Sequence, residues 1–252
     1  MRVIRSFVIA FSTYSRIPMP QVEWSDENRQ YTMCFFPLIG VVIGLMMWGW
    51  LLLCDALGIG PLLRGAVGAL LPLLVTGGIH MDGLMDTSDA LASWQTKERR
   101  LEILKDSHVG AFAVIGCAGY LLLAAGLLSE ASAQCAPMLM GVFVISRAMS
   151  AWAIAAFRSA RPKGMLDAFA QAAHRRMVTI SCCIYAVLCA LCWGLAAGWL
   201  AAACLAAAAM CLGYYRHMAY KQFGGVTGDL AGWFLQTTEL VLTAVIVLGG
   251  KW

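Results

Sequence analysis

Apolar residues run along this chain in long unbroken stretches rather than in the rhythm of a half-exposed surface helix. Seven stand out, at roughly 33–54, 62–79, 109–129, 137–157, 177–194, 199–215 and 232–250. A bilayer span needs about 20 mostly apolar residues, so each approximates one transmembrane helix. The second carries Arg64 near its start and is the weakest of the set. The connections Asp55 to Pro61 and Leu195 to Gly198 are so short that they imply antiparallel helix pairs. Alanine is dense in the sixth stretch, as suits close approach between membrane helices. The pattern predicts an all-α, polytopic membrane bundle of about seven transmembrane helices. It forms a single membrane-embedded catalytic domain over 1–252, with no room for a separate soluble domain.

The first residues follow another rule. Arg2 and Arg5 precede a short apolar stretch broken by Ser12, Thr13 and Ser15, and no small-residue cleavage site follows. Residues 1–32 are therefore expected to form a basic, interfacial segment along the membrane surface rather than a cleaved signal peptide.

Composition excludes the other classes. The chain is 61% hydrophobic and 13% charged, with mean hydropathy +0.75. A soluble domain is about half apolar and a quarter charged, and a disordered chain is poor in apolar residues. The ten cysteines scatter through apolar runs. The single Cys-x-x-Cys, Cys189 with Cys192, has no second pair to complete a zinc site, so neither a disulfide framework nor metal chemistry is expected there.

Charge orients the bundle. Of the 18 Lys and Arg residues, Arg64 and Lys251 fall on one side and Arg147 within a span; all others lie in 1–32, 80–108, 158–176 and 216–231. Positive residues stay in the cytoplasm, so those segments are expected to face inward. Nearly every acid shares that side; Asp55 and Glu130 lie opposite and Glu239 falls within a span. Polar chemistry gathered on one face suits a reaction platform better than a conduit.

The richest segment closes the second stretch: His80-Met81-Asp82-Gly83-Leu84-Met85-Asp86-Thr87-Ser88-Asp89. Asp82, Asp86 and Asp89 stand at i, i+4 and i+7 and share one helix face. Like charges so spaced repel, and Mg²⁺, a hard cation that takes carboxylate and phosphate oxygens, is the natural counter-ion. The bland alternative is a solvated acidic face, disfavoured by the apolar Met81, Leu84, Met85 and Leu91 around it. Asp106, in Asp106-Ser107-His108-Val109-Gly110, reads equally as a helix N-cap or as a further ligand or base. His80 and His108 are candidates for proton transfer, or simply hydrogen-bonding residues.

Two further clusters suit a phosphate-rich substrate. Arg147 lies within a span, where an arginine marks a ligand site or an internal pair, and Glu239 in the last span is the obvious partner. Arg158, Arg161 and Lys163 match phosphate oxygens or anionic lipid heads. In Gly224-Gly225-Val226-Thr227-Gly228-Asp229, the glycines Gly225 and Gly228 allow backbone amides close to an anion, and Thr227 and Asp229 add a hydroxyl and a carboxylate. The plainer alternative is a turn that merely starts a helix. Together the clusters point to metal-assisted transfer at a pyrophosphate.

These motifs, with Tyr14-Ser15-Arg16-Ile17-Pro18-Met19-Pro20, Phe36-Pro37-Leu38-Ile39-Gly40 and Arg161-Pro162-Lys163-Gly164, stand in an order that resembles the cobalamin synthase (adenosylcobinamide-GDP ribazoletransferase) family through nearly the whole chain. His108 departs from the arginine, and Ala90 from the glycine, common in relatives. The resemblance implies Mg²⁺-dependent joining of adenosylcobinamide-GDP to α-ribazole or its 5′-phosphate, with release of GMP. It makes Asp82, Asp86 and Asp89 metal ligands and catalytic residues, adds Asp106 and His80 as further catalytic candidates, and assigns Arg16 with the arginines, Lys163 and the glycine loop to substrate phosphates. Partners beyond substrates are membrane lipids, with self-association or association with other cobalamin-assembly enzymes open and no nucleic acid expected. The expected location is the bacterial inner membrane, active site toward the cytoplasm. A CDP-alcohol-type phosphotransferase and a transporter are the rival readings. The first would place Ala-Arg where Asp86-Thr87 stands, and the second would place its ionisable residues near the midplane.

Overall fold

The computed structural model describes residues 2–162 and 164–250; Lys163 lies outside them, as does the side chain of Met165. The described residues form twelve α-helices: α1 (Arg2–Tyr14), α2 (Asp26–Arg29), α3 (Thr32–Leu57), α4 (Pro61–Thr76), α5 (Ile79–Ala92), α6 (Lys97–Ile103), α7 (Ala111–Ser129), α8 (Ala136–Ala156), α9 (Met165–Ala172), α10 (Arg175–Ala197), α11 (Trp199–Phe223) and α12 (Gly228–Gly249). The only β pairing among the described residues is an isolated parallel bridge between Ser159 and Val226. The protein is an all-α, multi-pass membrane bundle. Among the described residues six helices are long and apolar enough to cross a bilayer, and α4 with α5, bent by 100° at their junction, brings the number to seven if the pair is counted as one broken span.

Two ends of the bundle are tied by different contacts, and α4 runs between them. At one end Arg64 bonds Asp55 at 2.8 Å and the Ala131 carbonyl at 2.8 Å, while Asp55 accepts from the Ala133 amide at 3.1 Å. These contacts settle the awkward charge in the second stretch by placing it at the rim. At the other end the Arg16 amide donates to Val75 O at 2.7 Å. There Gly77 (φ 68°) and Gly78 (φ 80°) take left-handed conformations open to glycine at little cost, and the chain turns into α5.

The middle of the bundle is α8, with 83% of its apolar window buried, flanked by α12 at 67%. By contrast α7 and α10 bury 22% and 17% and turn Leu122, Leu123, Ile184, Val187 and Leu191 outward, where lipid is their solvent. Across the central pair, Arg147 Nη1 meets Glu239 Oε1 at 2.6 Å with both side chains buried, as the sequence led one to expect. Ser146 donates to the same oxygen at 3.1 Å, and Arg147 also donates to Phe143 O at 2.9 Å. On α10, Cys189 packs toward Gly141 O and Cys192 faces outward; every cysteine among the described residues is free.

The interhelical segments hold more helix than hydropathy implied. The span read as 199–215 continues to Phe223, and the last helix starts at Gly228 rather than 232, so the connection shrinks to Gly224–Thr227. Hydropathy senses the solvent, whereas Tyr214 to Phe223 lack a helix breaker and carry α11 past the lipid. Segment 80–108 likewise folds into α5 and α6, and 158–176 contains α9. The N-terminal segment does form a helix, α1, which buries Ser6 and Val8 to Phe11 and leaves Val3 and Ile4 exposed.

Candidate functional site

The polar motifs converge at the end of the bundle marked by Arg16. Helix α5 crosses the starts of α7 and α12 there, and close approach makes this possible. A Cβ on Gly83 would lie 2.6 Å from the Asp229 carbonyl oxygen, so only a glycine lets α5 rest on the first turn of α12. The contact brings the aspartate face of α5 beside Asp229, two sequence motifs about 150 residues apart in numbering.

The three aspartates of α5 meet different fates. Asp82 is exposed and lines a cavity. Asp86 is half-buried and faces the charges of Asp82, Asp229 and Asp89, with Arg161 opposing them. Asp89 reaches across to α7: its Oδ2 accepts from the Gly110 amide at 2.7 Å and its Oδ1 from the Ala113 amide at 2.9 Å. A carboxylate there satisfies amides that the helix leaves unpaired and complements the positive end of the helix dipole. Shared spacing on α5 thus does not bring the three to one point. Among the described residues no three His, Cys, Asp or Glu side chains form a ready-made metal cage.

Asp106 stands apart from this group. It is exposed, and its Oδ1 accepts from the His108 amide at 3.0 Å and contacts the His108 ring at 2.6 Å. The His108 amide and imidazole hold its carboxyl below the usual carboxylate range. The arrangement is a local turn; α7 takes Gly110 as its N-cap, so Asp106 does not play the helix-capping role weighed for it.

The basic and glycine motifs lock together. Ala160 N donates to Val226 O and Val226 N to Arg158 O, both at 2.9 Å. Arg158 sends its guanidinium to Gly224 O, at 2.6 Å from Nη2, and so braces the loop. The Gly225 amide is taken by Ala219 O at 3.2 Å, so the amide proposed for an anion is engaged in holding the turn. Thr227 caps α12, its hydroxyl accepting from Leu230 N at 3.2 Å, as favoured N-cap residues do. Arg161 bonds Asp229 at 3.2 Å and the Leu101 carbonyl at 2.8 Å, which ties this loop to α6.

Between these parts opens a cavity of about 300 Å³. Its polar mouth is made by Asp82, Arg161, Thr227, Gly228 and Asp229, and its deeper wall by Tyr14, Phe36, His80, Phe169, Ile154 and Ser150. His80 is 6% exposed, and neither ring nitrogen has a hydrogen-bond partner. Arg147 sits behind this wall, its guanidinium 5.9 Å from the Phe36 ring centre, committed to Glu239. Arg16 lies against the Gly77 turn: a Cβ there would be 2.3 Å from its Nε.

Of the residues singled out from the sequence, the cavity gathers His80, Asp82, Arg161, Thr227, Gly228 and Asp229, with Asp86 adjoining. Arg16, Asp89, Arg147, Arg158 and Gly225 support it from outside, and Asp106 is not part of its lining. The wall residues Tyr14, Phe36 and Phe169 were not singled out. Tyr14 and Phe36 did open two of the quoted motifs, a signal that those motifs surround a site rather than a span.

Comparison with known proteins adds the remaining finding. The family model described as cobalamin-5-phosphate synthase matches residues 6–247. A Lachnoclostridium phytofermentans protein named adenosylcobinamide-GDP ribazoletransferase is 43% identical over 248 residues, covering 98% of this chain and 95% of that one. Proteins of the same name from Desulfitobacterium hafniense (32% identical, 96% of each chain) and Clostridium botulinum Alaska E43 (30%, 95% of each) are similar over the same extent. No solved structure matches.

Proposed function

The chain belongs to the cobalamin-5-phosphate synthase family, and from that premise we propose that it is a transferase that joins adenosylcobinamide-GDP to α-ribazole or its 5′-phosphate and releases GMP. The observation that carries this reading is the cavity: a carboxylate and arginine mouth at a membrane-bundle end, backed by an aromatic wall. The family match separates this reading from a CDP-alcohol phosphotransferase and from a transporter.

In the proposed reaction the ribose 3′-hydroxyl attacks the phosphorus nearer cobinamide. The new P–O bond forms as the bond to GMP breaks, and the hydroxyl proton leaves to a carboxylate. Asp82, on the cavity wall, is the group assigned to orient that hydroxyl. Arg161, steadied by Asp229 and Leu101 O, faces the pyrophosphate, since a guanidinium matches phosphate oxygens in a bidentate fork. Asp89 holds α5 to α7 and so keeps Asp82 and Asp86 at the mouth.

Mg²⁺ fits the donor set. Mg²⁺ is usually held by one or two carboxylates, waters and substrate phosphates rather than by an all-protein cage. Crowded carboxylates opposed by Arg161, without a closed cage, suit that habit. Asp82 and Asp86, with Asp229, are the residues proposed to hold it. When bound, the ion neutralises phosphate oxygens and stabilises charge on the departing GMP. We place the mouth toward the cytoplasm of the bacterial inner membrane, on the Lys and Arg bias.

The test is GMP release by the purified full chain in liposomes, from adenosylcobinamide-GDP and α-ribazole, with Mg²⁺ and with chelator. Release that needs both substrates and the metal is expected. No release under any Mg²⁺ concentration would contradict the assignment.

A further inference from the structure

The cavity has two chemically distinct ends, and the reaction steps proposed above engage only its mouth. At the other end Tyr14 and Phe36 rings lie 4.6 Å apart, Phe169 closes on Tyr14 at 6.1 Å, and the His80 ring runs parallel to Tyr14 at 6.3 Å with 8° between planes. Such a wall favours a flat aromatic guest, because aromatic rings contribute large contact area in offset or edge-on packing. Yet His80 is polar, 6% exposed and unpartnered at both ring nitrogens. Buried polar atoms are ordinarily satisfied, so an unpartnered imidazole on a cavity wall points to a hydrogen-bonding guest.

We propose that this end seats the planar base of the ribazole, with the His80 imidazole donating a hydrogen bond to the base's free ring nitrogen. The inference rests on the function proposed above and deepens it. Ribazole is a benzimidazole riboside: its base presents one acceptor nitrogen in the ring plane and is otherwise apolar. That matches an unpartnered imidazole set among aromatic rings, with the Tyr14 and Ser150 hydroxyls in the same wall. Guanine, the competing base among the substrates, is polar around most of its edge and lacks the apolar benzo ring that these aromatic side chains would cover. With the base seated here, the ribose extends toward Asp82 and the mouth, where its 3′-hydroxyl is needed. His80 is thus a specificity-determining residue, distinct from the carboxylates that act on phosphate.

The experiment uses the full chain in detergent and equilibrium dialysis with α-ribazole and with the matching indole riboside, in which CH replaces the free ring nitrogen. Wild type is expected to bind α-ribazole about tenfold more tightly, the scale of one hydrogen bond to a buried group. His80→Leu is expected to weaken α-ribazole about tenfold and leave the indole riboside within about twofold. His80→Gln, which keeps a donor, is expected to retain part of the preference. Equal binding of both ribosides by wild type, or a full preference surviving in His80→Leu, would overturn the proposal. Equal binding by wild type does so even where the leucine variant fails to fold. Failure of the functional reading is separate: it is read as absence of GMP release by wild type, an assay in which His80 is unaltered.

Discussion

Removing either partner of the buried pair on α8 and α12 strands the other in the least solvated part of the bundle. Arg147 and Glu239 side chains are 1% and 3% exposed and meet at 2.6 Å, and Glu239 takes a second bond from Ser146. Arg147→Met leaves a carboxylate without its cation, and Glu239→Leu leaves a guanidinium with only Phe143 O. Breaking a buried pair on one side costs about 3–5 kcal/mol, whereas replacing both by apolar residues of similar volume is often neutral or stabilising. On the scale of about 2–4 °C per kcal/mol for domains of this size, each single variant should melt roughly 6–20 °C lower. Arg147→Met with Glu239→Leu together should recover most of that loss. Thermal denaturation of the detergent-purified protein, followed by size-exclusion recovery, measures all four. Losses that simply add in the double variant would refute the coupling. A double variant as stable as wild type but devoid of GMP release would instead reassign Arg147 to the substrate.

Two other expectations follow from the same end of the structure. Asp89→Ala removes the carboxylate that serves the Gly110 and Ala113 amides and should lower stability by about 1–2 kcal/mol, the range for lost helix caps; an unchanged melting temperature would refute that tie. With exposed Cys183 and Cys192 replaced by serine, a cysteine at Glu130 should react with an impermeant thiol reagent outside intact cells and one at Gln95 should not; the reverse pattern would invert the topology.

How far the sequence reaches is clearest residue by residue. The long apolar helices are legible because lipid demands apolar side chains over a fixed length, whatever the tertiary contacts. The Arg147–Glu239 pair is legible because each is an ionisable residue deep in a span, and membrane interiors force such residues to meet. The helical extension of α11 is not, since hydropathy says where lipid ends and not where a helix ends. Asp89 misleads for another reason: spacing shows that it shares a face with Asp82, but its partners on α7 lie 21 and 24 residues away and meet it only after α6 folds back. Gly225 misleads likewise, because its amide is claimed by Ala219 of the preceding helix. The aromatic wall, drawn from α1, α3, α5 and α9, exists only once those four elements pack.

The central claim is that the carboxylates at the cavity mouth act on the pyrophosphate through Mg²⁺, and Asp82→Asn tests it most directly. The substitution keeps shape and removes one charge at an exposed wall position, where a solvated residue would alter stability by within about 0.5 kcal/mol. GMP release is measured across a Mg²⁺ titration, with the melting temperature as a check on folding. The account predicts an unchanged melting temperature, a raised Mg²⁺ requirement and turnover reduced at least about tenfold, because metal stabilisation acts on the transition state. Near-normal GMP release by Asp82→Asn at low Mg²⁺ would contradict it.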